Sequence, residues 1–378
     1  MKKLFVLLLV GSLLLAACSS TEEETASTIP QPQPSSAITP SEPEPIPESE
    51  PEPAPEIDNS WQLDAPENHG VDPAVLEQMH TALINAPVYA VVTAKDGVII
   101  DEYYQAGYDE TSRYAFHSAS KSVTSALFGI AMEEGYIDSL DDPLSKYLPQ
   151  VLEQEDIRKH ALTLRHLLTQ TSGLEWYEWG GSYSNWNEFR SAENWVDHIL
   201  GRNLVYEPGA VFNYSTGNTH LLAAALENAT GRPLMDYAKE KLFDPLGMES
   251  VVWGTDPQGV ADDGNGIVMT ARDAARFGQL FLEGGVWNGE QLIPADWVTE
   301  STSVQNAGPG DSTGQYGYQW WVRQFGGYDC YYAFGAWGQY ILVVPELNLV
   351  TAIASEGPQN SYASRAYFTD YILPACGA

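Results

Sequence analysis

Hydrophobic and polar positions divide this chain at about residue 60. Before it, Lys2 and Lys3 precede an apolar run from Leu4 to Leu15, and a stretch to about Ser60 is almost free of large apolar side chains. After it, apolar residues recur in short blocks throughout. "VDPAVLEQMHTALINA" predicts a helix with Asp72 as N-cap and Pro73 at its first position. "VYAVVTAKDGVIIDEYY" reads as two strands joined in a hairpin at Asp96-Gly97. "SASKSVTSALFGIAMEEG" is a small, smooth, apolar helix that Gly135 closes. In the middle, "TLRHLLTQTSGL", "HLLAAALENATG" and "PLMDYAKEKLFDPLG" predict helices, and Thr270 with Asp273 makes a capping box for another. Strands return in "YGYQWWVRQ", "YDCYYAFGAWG" and "QYILVVPELNLVTAIAS", before a last helix near Ser361 to Leu373. Strands from both ends around a helical middle imply an α/β (α+β) unit. Its first hairpin joins the C-terminal strands in one antiparallel sheet, with helices inserted as a separate lobe.

The ends refine this picture. A charged start, a 12-residue apolar run and small residues before Cys18 predict an export leader over residues 1–17, too short to span comfortably as a mature membrane helix. "LAAC" resembles the lipobox of bacterial lipoproteins, which implies lipidation at Cys18 and anchoring to the cell envelope outside the cytoplasm. Residues 18–60, rich in Pro and Glu, then form a disordered, self-repelling tether. The globular part spans residues 61–378. A net charge of −33 excludes nucleic acid and charge-driven adhesion to anionic lipid. With Cys18 assigned to lipid, export predicts a disulfide between Cys330 and Cys376. No zinc spacing, P-loop or dinucleotide fingerprint occurs, so neither metal nor organic cofactor is expected.

Candidate chemistry centres on a lysine where the helix looks built for burial. Past the N-terminus the lysines are Lys95, Lys121, Lys146, Lys159, Lys239 and Lys241, and of these only Lys121 has a serine three residues before it. That spacing sets Ser118 and Lys121 on one helical face within mutual reach. A serine hydroxyl needs such a base to act as a nucleophile. The helix start supplies free N–H groups for an oxyanion, and the apolar residues behind would desolvate Lys121 and lower its pKa. No G-x-S-x-G elbow is present. His166 and His220 stand singly and are read as packing or capping residues.

Several stretches resemble, in order and spacing, the serine β-lactamase-related superfamily: "FHSASKSVTSALFGIAMEEG", "LDDPLSKYLP", "LTLRHLLTQTSGL", "YEPGAVFNYSTGNTHLLAAALENATG", "YAKEKLFDPLGM" and "GIVMTARDAARFGQLFLEGG". "FHSASKS" and "GQYILVVPEL" look most like the branch of 6-aminohexanoate-dimer hydrolases. The resemblance implies a two-lobed fold, an antiparallel sheet flanked by helices plus an all-helical lobe, with the site between them. It makes Ser118 the acylated nucleophile, Lys121 its base partner and Tyr214 of "NYSTG" the proton-handling phenol. Where the motif usually carries Asn this chain has Thr216, and the K-T-G-like strand is replaced by "AFGAWG". Gly335 then takes the place of the motif's glycine, and the Ala336 amide joins that of Ser118 in an oxyanion hole.

The loop "GLEWYEWGGSYSNWNEF" is expected to overhang the site. Trp176, Tyr177 and Trp179 would shape an acyl pocket, Glu178 would meet a cationic group, and Asn265 and Thr216 would touch substrate. These features imply an exported, lipid-anchored serine hydrolase, monomeric, cleaving an amide or ester through an acyl-enzyme on Ser118. Two rivals are weighed against it. A D,D-peptidase or β-lactamase acting on cell-wall peptides or β-lactams is disfavoured by the missing cationic clamp. A non-catalytic envelope-binding lipoprotein is disfavoured by the intact Ser118, Lys121 and Tyr214.

Overall fold

The computed structural model describes residues 61–178, 184–356 and 361–377. Expectations for the leader, Cys18, the tether and Trp179 fall outside these residues. Strands β1 (Val88–Lys95), β2 (Val98–Tyr104), β3 (Gln315–Tyr316), β4 (Trp321–Phe325), β5 (Tyr328–Gly335), β6 (Gln339–Val344) and β7 (Leu349–Ser355) form a seven-stranded sheet. Its order is β2-β1-β7-β6-β5-β4-β3, with every pair antiparallel. The predicted pairing of the first hairpin with the C-terminal strands is therefore present, through β1 and β7. The hairpin turns at Asp96 and Gly97, both at positive φ, the conformation that Asp-Gly turns supply.

The sheet is buried on both faces. Along β7, Val350, Ala352 and Ala354 join one core cluster while Leu349 and Ile353 join the other, as strand alternation requires. Helix α1 (Pro73–Leu83), capped by Asp72, covers the second face together with the helical segment Arg365–Ala375. Helices α2 (Ser120–Glu133), α3 (Thr216–Thr230) and α4 (Ala271–Leu282) lie on the other side. The Thr270–Asp273 capping box opens α4, which packs on β1, β6 and β7. Helix α2 is buried at every position from Ser120 to Ala131 and touches α3 in the helical lobe and β5 in the sheet. It is thus the element shared by both lobes.

Two expectations are corrected here. The last helix starts at Arg365, not near Ser361, because Ser361 Oγ accepts the Trp337 N–H and Ser364 Oγ donates to the Gly338 carbonyl. These bonds hold the serines in a turn against the β5–β6 connection. Cys330 and Cys376 are both free thiols rather than a disulfide. Cys330 lies on β5, whereas Cys376 feels the charges of Lys95 and Asp96 at the β1–β2 turn. In the sheet register Lys95 pairs with Leu349, Leu349 with Val344, and Val344 is next to the partner of Tyr331. Lys95 and the Cys330 strand are therefore about three strand spacings, roughly 14 Å, apart across the sheet. His166 completes the capping box of Thr163, and His220 is buried against Asp256 at 3.1 Å, so neither enters the site.

Candidate active site

A short second sheet delivers the serine. Arg113–Ala115 pairs with Ile267–Thr270, and the Phe116 N–H continues the pairing to the Ile267 carbonyl at 3.0 Å. The chain then breaks through His117, whose φ of 47° is left-handed and costs about 1–2 kcal/mol for a non-glycine residue. The strain is held by three contacts. The His117 ring meets Trp337 edge-on at 4.7 Å, its Nδ1 lies 3.3 Å from Asn265 Oδ1, and its carbonyl accepts the Ser120 hydroxyl at 2.6 Å. Ser118 follows in a 3₁₀ turn, His117–Ala119, that runs into α2. Its N–H has no acceptor inside such a first turn. Backbone strain of this kind clusters at functional sites.

Lys121 sits one turn on and is 1% exposed. Its Nζ donates to Ser118 Oγ at 3.2 Å, Thr216 Oγ1 at 3.0 Å and the Gly264 carbonyl at 2.5 Å. Burial pushes the ammonium down to about 8, against the charges of Glu178, Asp263 and Asp262, which favour its protonated form. Gly264 allows the approach: a Cβ there would stand 2.6 Å from Thr216 Cγ2 and 3.4 Å from Lys121 Nζ. Tyr214 completes the cluster, with its ring 5.1 Å from Lys121 Nζ and its phenol facing the cavity that Ser118 also lines. Stacking on Trp321 fixes the phenol, and burial raises its pKa well above the usual value, so it stays protonated.

Beneath Lys121, Asp263 is fully buried, and burial raises its carboxyl well above the usual carboxylate range. Oδ2 accepts from Thr124 at 3.2 Å, while Oδ1 has no partner among the described residues. Opposite, Arg190 pairs with Asp262 and lies over the rings of Trp186 and Trp195.

The end of β5 closes the other side. Gly335 has an ordinary φ of −121°, so its lack of a side chain serves space rather than conformation. A Cβ there would stand 2.2 Å from the Phe116 carbonyl and 3.2 Å from His117 Cβ. Glycine thus lets β5 lie directly against the serine turn, and Ala336 lines two cavities together with Ser118. The next residue, Trp337, is left-handed at φ 65°, held by its N–H on Ser361 and its carbonyl on Ser355 Oγ. The two strained residues, His117 and Trp337, directly flank Ser118 and Ala336 in the chain and pack on each other.

Two cavities meet at Ser118, Glu178 and Ala336. One, of about 450 Å³, is walled by Trp176, Tyr177, Phe212, Tyr214, Trp321, Phe334 and Tyr362, with Asp311 at its edge. The other, of about 500 Å³, is lined by His117, Trp186, Asn187, Asn265 and Trp337. Of the residues expected at the site, Ser118, Lys121, Tyr214, Trp176, Tyr177, Glu178, Asn265 and Ala336 come together. Thr216 and Gly335 line neither cavity. Thr216 is fully buried and faces Lys121 and Glu178 instead of substrate. Glu178 is already engaged by Trp176 Nε1, the Thr216 N–H and the Thr216 hydroxyl.

The sequence reading did not single out His117, Trp337, Asp311, the aromatic wall from β4 and β5, or Asp263. Only His117, directly before the serine, carried any local signal.

Comparisons with known proteins bear on the family and the fold. The curated 6-aminohexanoate-dimer hydrolase of Paenarthrobacter ureafaciens is 25% identical over 252 residues, 61% of this chain and 63% of that protein. Penicillin-binding protein 4* of Bacillus subtilis (strain 168) is 33% identical over 170 residues, 42% of this chain and 36% of that protein. The chain thus spans less than two thirds of either relative. Among solved structures, a putative 6-aminohexanoate-dimer hydrolase from Bacillus anthracis matches with a TM-score of 0.69 and 25% identity, over 78% of this chain and 80% of that one. The fold is accordingly of the β-lactamase/transpeptidase type. A family model described as Beta-lactamase matches residues 79–372, which takes in the serine turn, the lysine, the tyrosine and the closing strand: the chain belongs to the beta-lactamase family.

Proposed function

We propose that this chain is a serine hydrolase that cleaves an amide or ester bond through an acyl-enzyme on Ser118. The observation that carries the reading is a buried lysine, lowered to about 8, within 3.2 Å of a serine hydroxyl. Neutral Lys121 takes the Ser118 proton as Oγ bonds to the substrate carbonyl carbon. The carbonyl electron pair moves to oxygen, which the Ser118 and Ala336 amides stabilise. As the pair returns, the C–N or C–O bond breaks, and the proton reaches the leaving group from Lys121 by way of Tyr214. Water then attacks the ester and releases the acid and free Ser118. The names of the relatives, a dimer hydrolase and a penicillin-binding protein, fit acyl transfer at such a serine.

The cleft has a charge preference. Its described lining contains neither Lys nor Arg, but holds Glu178 and Asp311. A carboxylate beside the scissile bond would be desolvated next to like charge without a partner. Neutral linear amides, aminohexanoate-type dimers and p-nitrophenyl esters are therefore expected to show kcat/KM at least about tenfold above matched compounds carrying that carboxylate, such as D-Ala peptides and cephalosporins. Equal or reversed preference in a substrate panel would favour the D,D-peptidase or β-lactamase reading. Failure of the wild type to cleave any member would sink the hydrolase reading.

The same proposal places the enzyme outside the cytoplasm, lipid-anchored at Cys18, on the support of the leader and "LAAC" alone. Cells fed an alkyne fatty acid should label the wild type and leave Cys18→Ser unlabelled. An unlabelled wild type rules the anchor out.

A further inference from the structure

We propose that Glu178 is a positioning residue that acts through Thr216 to hold Lys121 as a base aimed at Ser118, a role that rests on the acyl-enzyme reading. The argument counts donors and acceptors. A carboxylate only accepts hydrogen bonds, so the contact of Thr216 Oγ1 with Glu178 Oε1 at 2.5 Å uses the single hydroxyl proton of Thr216. Thr216 Oγ1 is then left with lone pairs alone, and its 3.0 Å contact with Lys121 Nζ must be donated by the lysine. The Gly264 carbonyl, 2.5 Å away, is likewise an acceptor only.

A neutral amine has two N–H bonds and one lone pair. With Thr216 and Gly264 each taking an N–H, the lone pair has one remaining partner, Ser118 Oγ at 3.2 Å. If the Thr216 proton turned toward Lys121 instead, it would occupy that lone pair and compete with the serine. Glu178 prevents the turn.

The carboxylate is itself immobilised. Oε2 accepts the Thr216 N–H at 2.9 Å and Trp176 Nε1 at 2.5 Å, while the Glu178 carbonyl accepts the Ser184 hydroxyl at 2.9 Å. Glu178 thus joins the loop over the cleft to the first turn of α3, and its charge faces Lys121. Asp262 and Asp263 face the lysine from the turn before Gly264, Tyr214 from the approach to α3, and His117 from the serine turn. Of the carboxylates among these groups, Glu178 is the one bonded to a hydrogen-bond partner of the lysine.

The test is the rate at which a fluorophosphonate labels Ser118, followed from pH 6 to pH 10 in the full chain. Wild type, Glu178→Gln, Thr216→Val and Thr216→Ser are compared, with the melting temperature of each. Wild-type labelling should rise with pH to a plateau. In Glu178→Gln and Thr216→Val the plateau should fall at least about tenfold, because the base is misaimed even when fully neutral. The rise in Glu178→Gln should also move to lower pH, since a charge that holds the lysine's proton is gone. Thr216→Ser, which keeps the hydroxyl, should recover most of the loss. Thr216→Val keeps the backbone N–H on Glu178 and so preserves the helix cap, which makes the Val/Ser pair decisive even if Glu178→Gln folds poorly.

A plateau within twofold of wild type in Thr216→Val, or a Thr216→Ser variant as slow as Thr216→Val, overturns the role. Lowered melting temperatures with unchanged plateaus would make Glu178 a structural cap only and overturn it too. A wild type that takes no label sinks the acyl-enzyme reading itself, a separate outcome.

Discussion

Ser118→Ala takes no fluorophosphonate label and loses turnover by roughly 10⁴-fold or more, the scale seen when a catalytic nucleophile is removed. The neighbouring serines offer no substitute. Ser120 donates its hydroxyl to the His117 carbonyl at 2.6 Å, and Ser122 donates to the Gln319 carbonyl at 2.8 Å. Both are buried, and neither lines the cleft. The backbone amides of residues 118 and 336 and the aromatic wall remain in the variant, so substrate binding should persist while the covalent step is lost. Stability should change by no more than about 1 kcal/mol, because Lys121 keeps Thr216 and Gly264 as acceptors. Mass spectrometry of the labelled protein and a melting curve separate these effects. Label retained in Ser118→Ala at the wild-type rate would assign the nucleophile elsewhere.

What was legible in the sequence follows the range of the interactions involved. The Asp96-Gly97 hairpin, the Asp72 cap and the Thr270–Asp273 box each depend on residues two to four apart, and all appear as read. Ser118 and Lys121 belong to the same class, since one helical turn sets their contact. The pairing of β1 with β7 joins segments more than 250 residues apart, yet it was readable because strands at both ends of the chain need partners. The lock of Glu178 on Thr216 was not readable. Thr216 looked like a weakened substrate contact because its spacing from Tyr214 was visible, whereas the loop that brings a carboxylate to it was not. Asp263 lay in an acidic run of an acidic chain and gave no signal, although folding buries it beneath the lysine. The cysteine pair failed for a related reason. Compartment and count argued for a bond, but they say nothing of where the fold places Cys330, on β5, and Cys376, at the end of the C-terminal helical segment, and both thiols are free.

Lys121→Met should cost about 10²–10⁴-fold in labelling and turnover, the range of a general base, and should also change how stability depends on pH. In the unfolded chain the lysine titrates near 10.5, and in the fold burial brings it down to about 8. Between these values the unfolded chain holds a proton that the folded chain has released, so the wild type gains stability as pH rises through that window. Below about pH 8 the folded protein carries the whole cost of a buried ammonium. The difference between 10.5 and about 8 corresponds to about 3 kcal/mol. Methionine has no proton to exchange, so the stability of wild type relative to Lys121→Met should climb by about that amount from pH 7 to pH 10.5. Comparing the two proteins cancels the tyrosines and carboxylates that both share. Denaturant unfolding at a series of pH values measures it, and a flat difference would show that Lys121 titrates normally in the fold. That outcome would remove the neutral base on which attack by Ser118 depends, because an ammonium of ordinary pKa is almost wholly protonated at neutral pH. The desolvation that destabilises the fold and the reactivity of the serine have one source, so in the variant the lysine's pH slope should vanish and the labelling rate should fall with it.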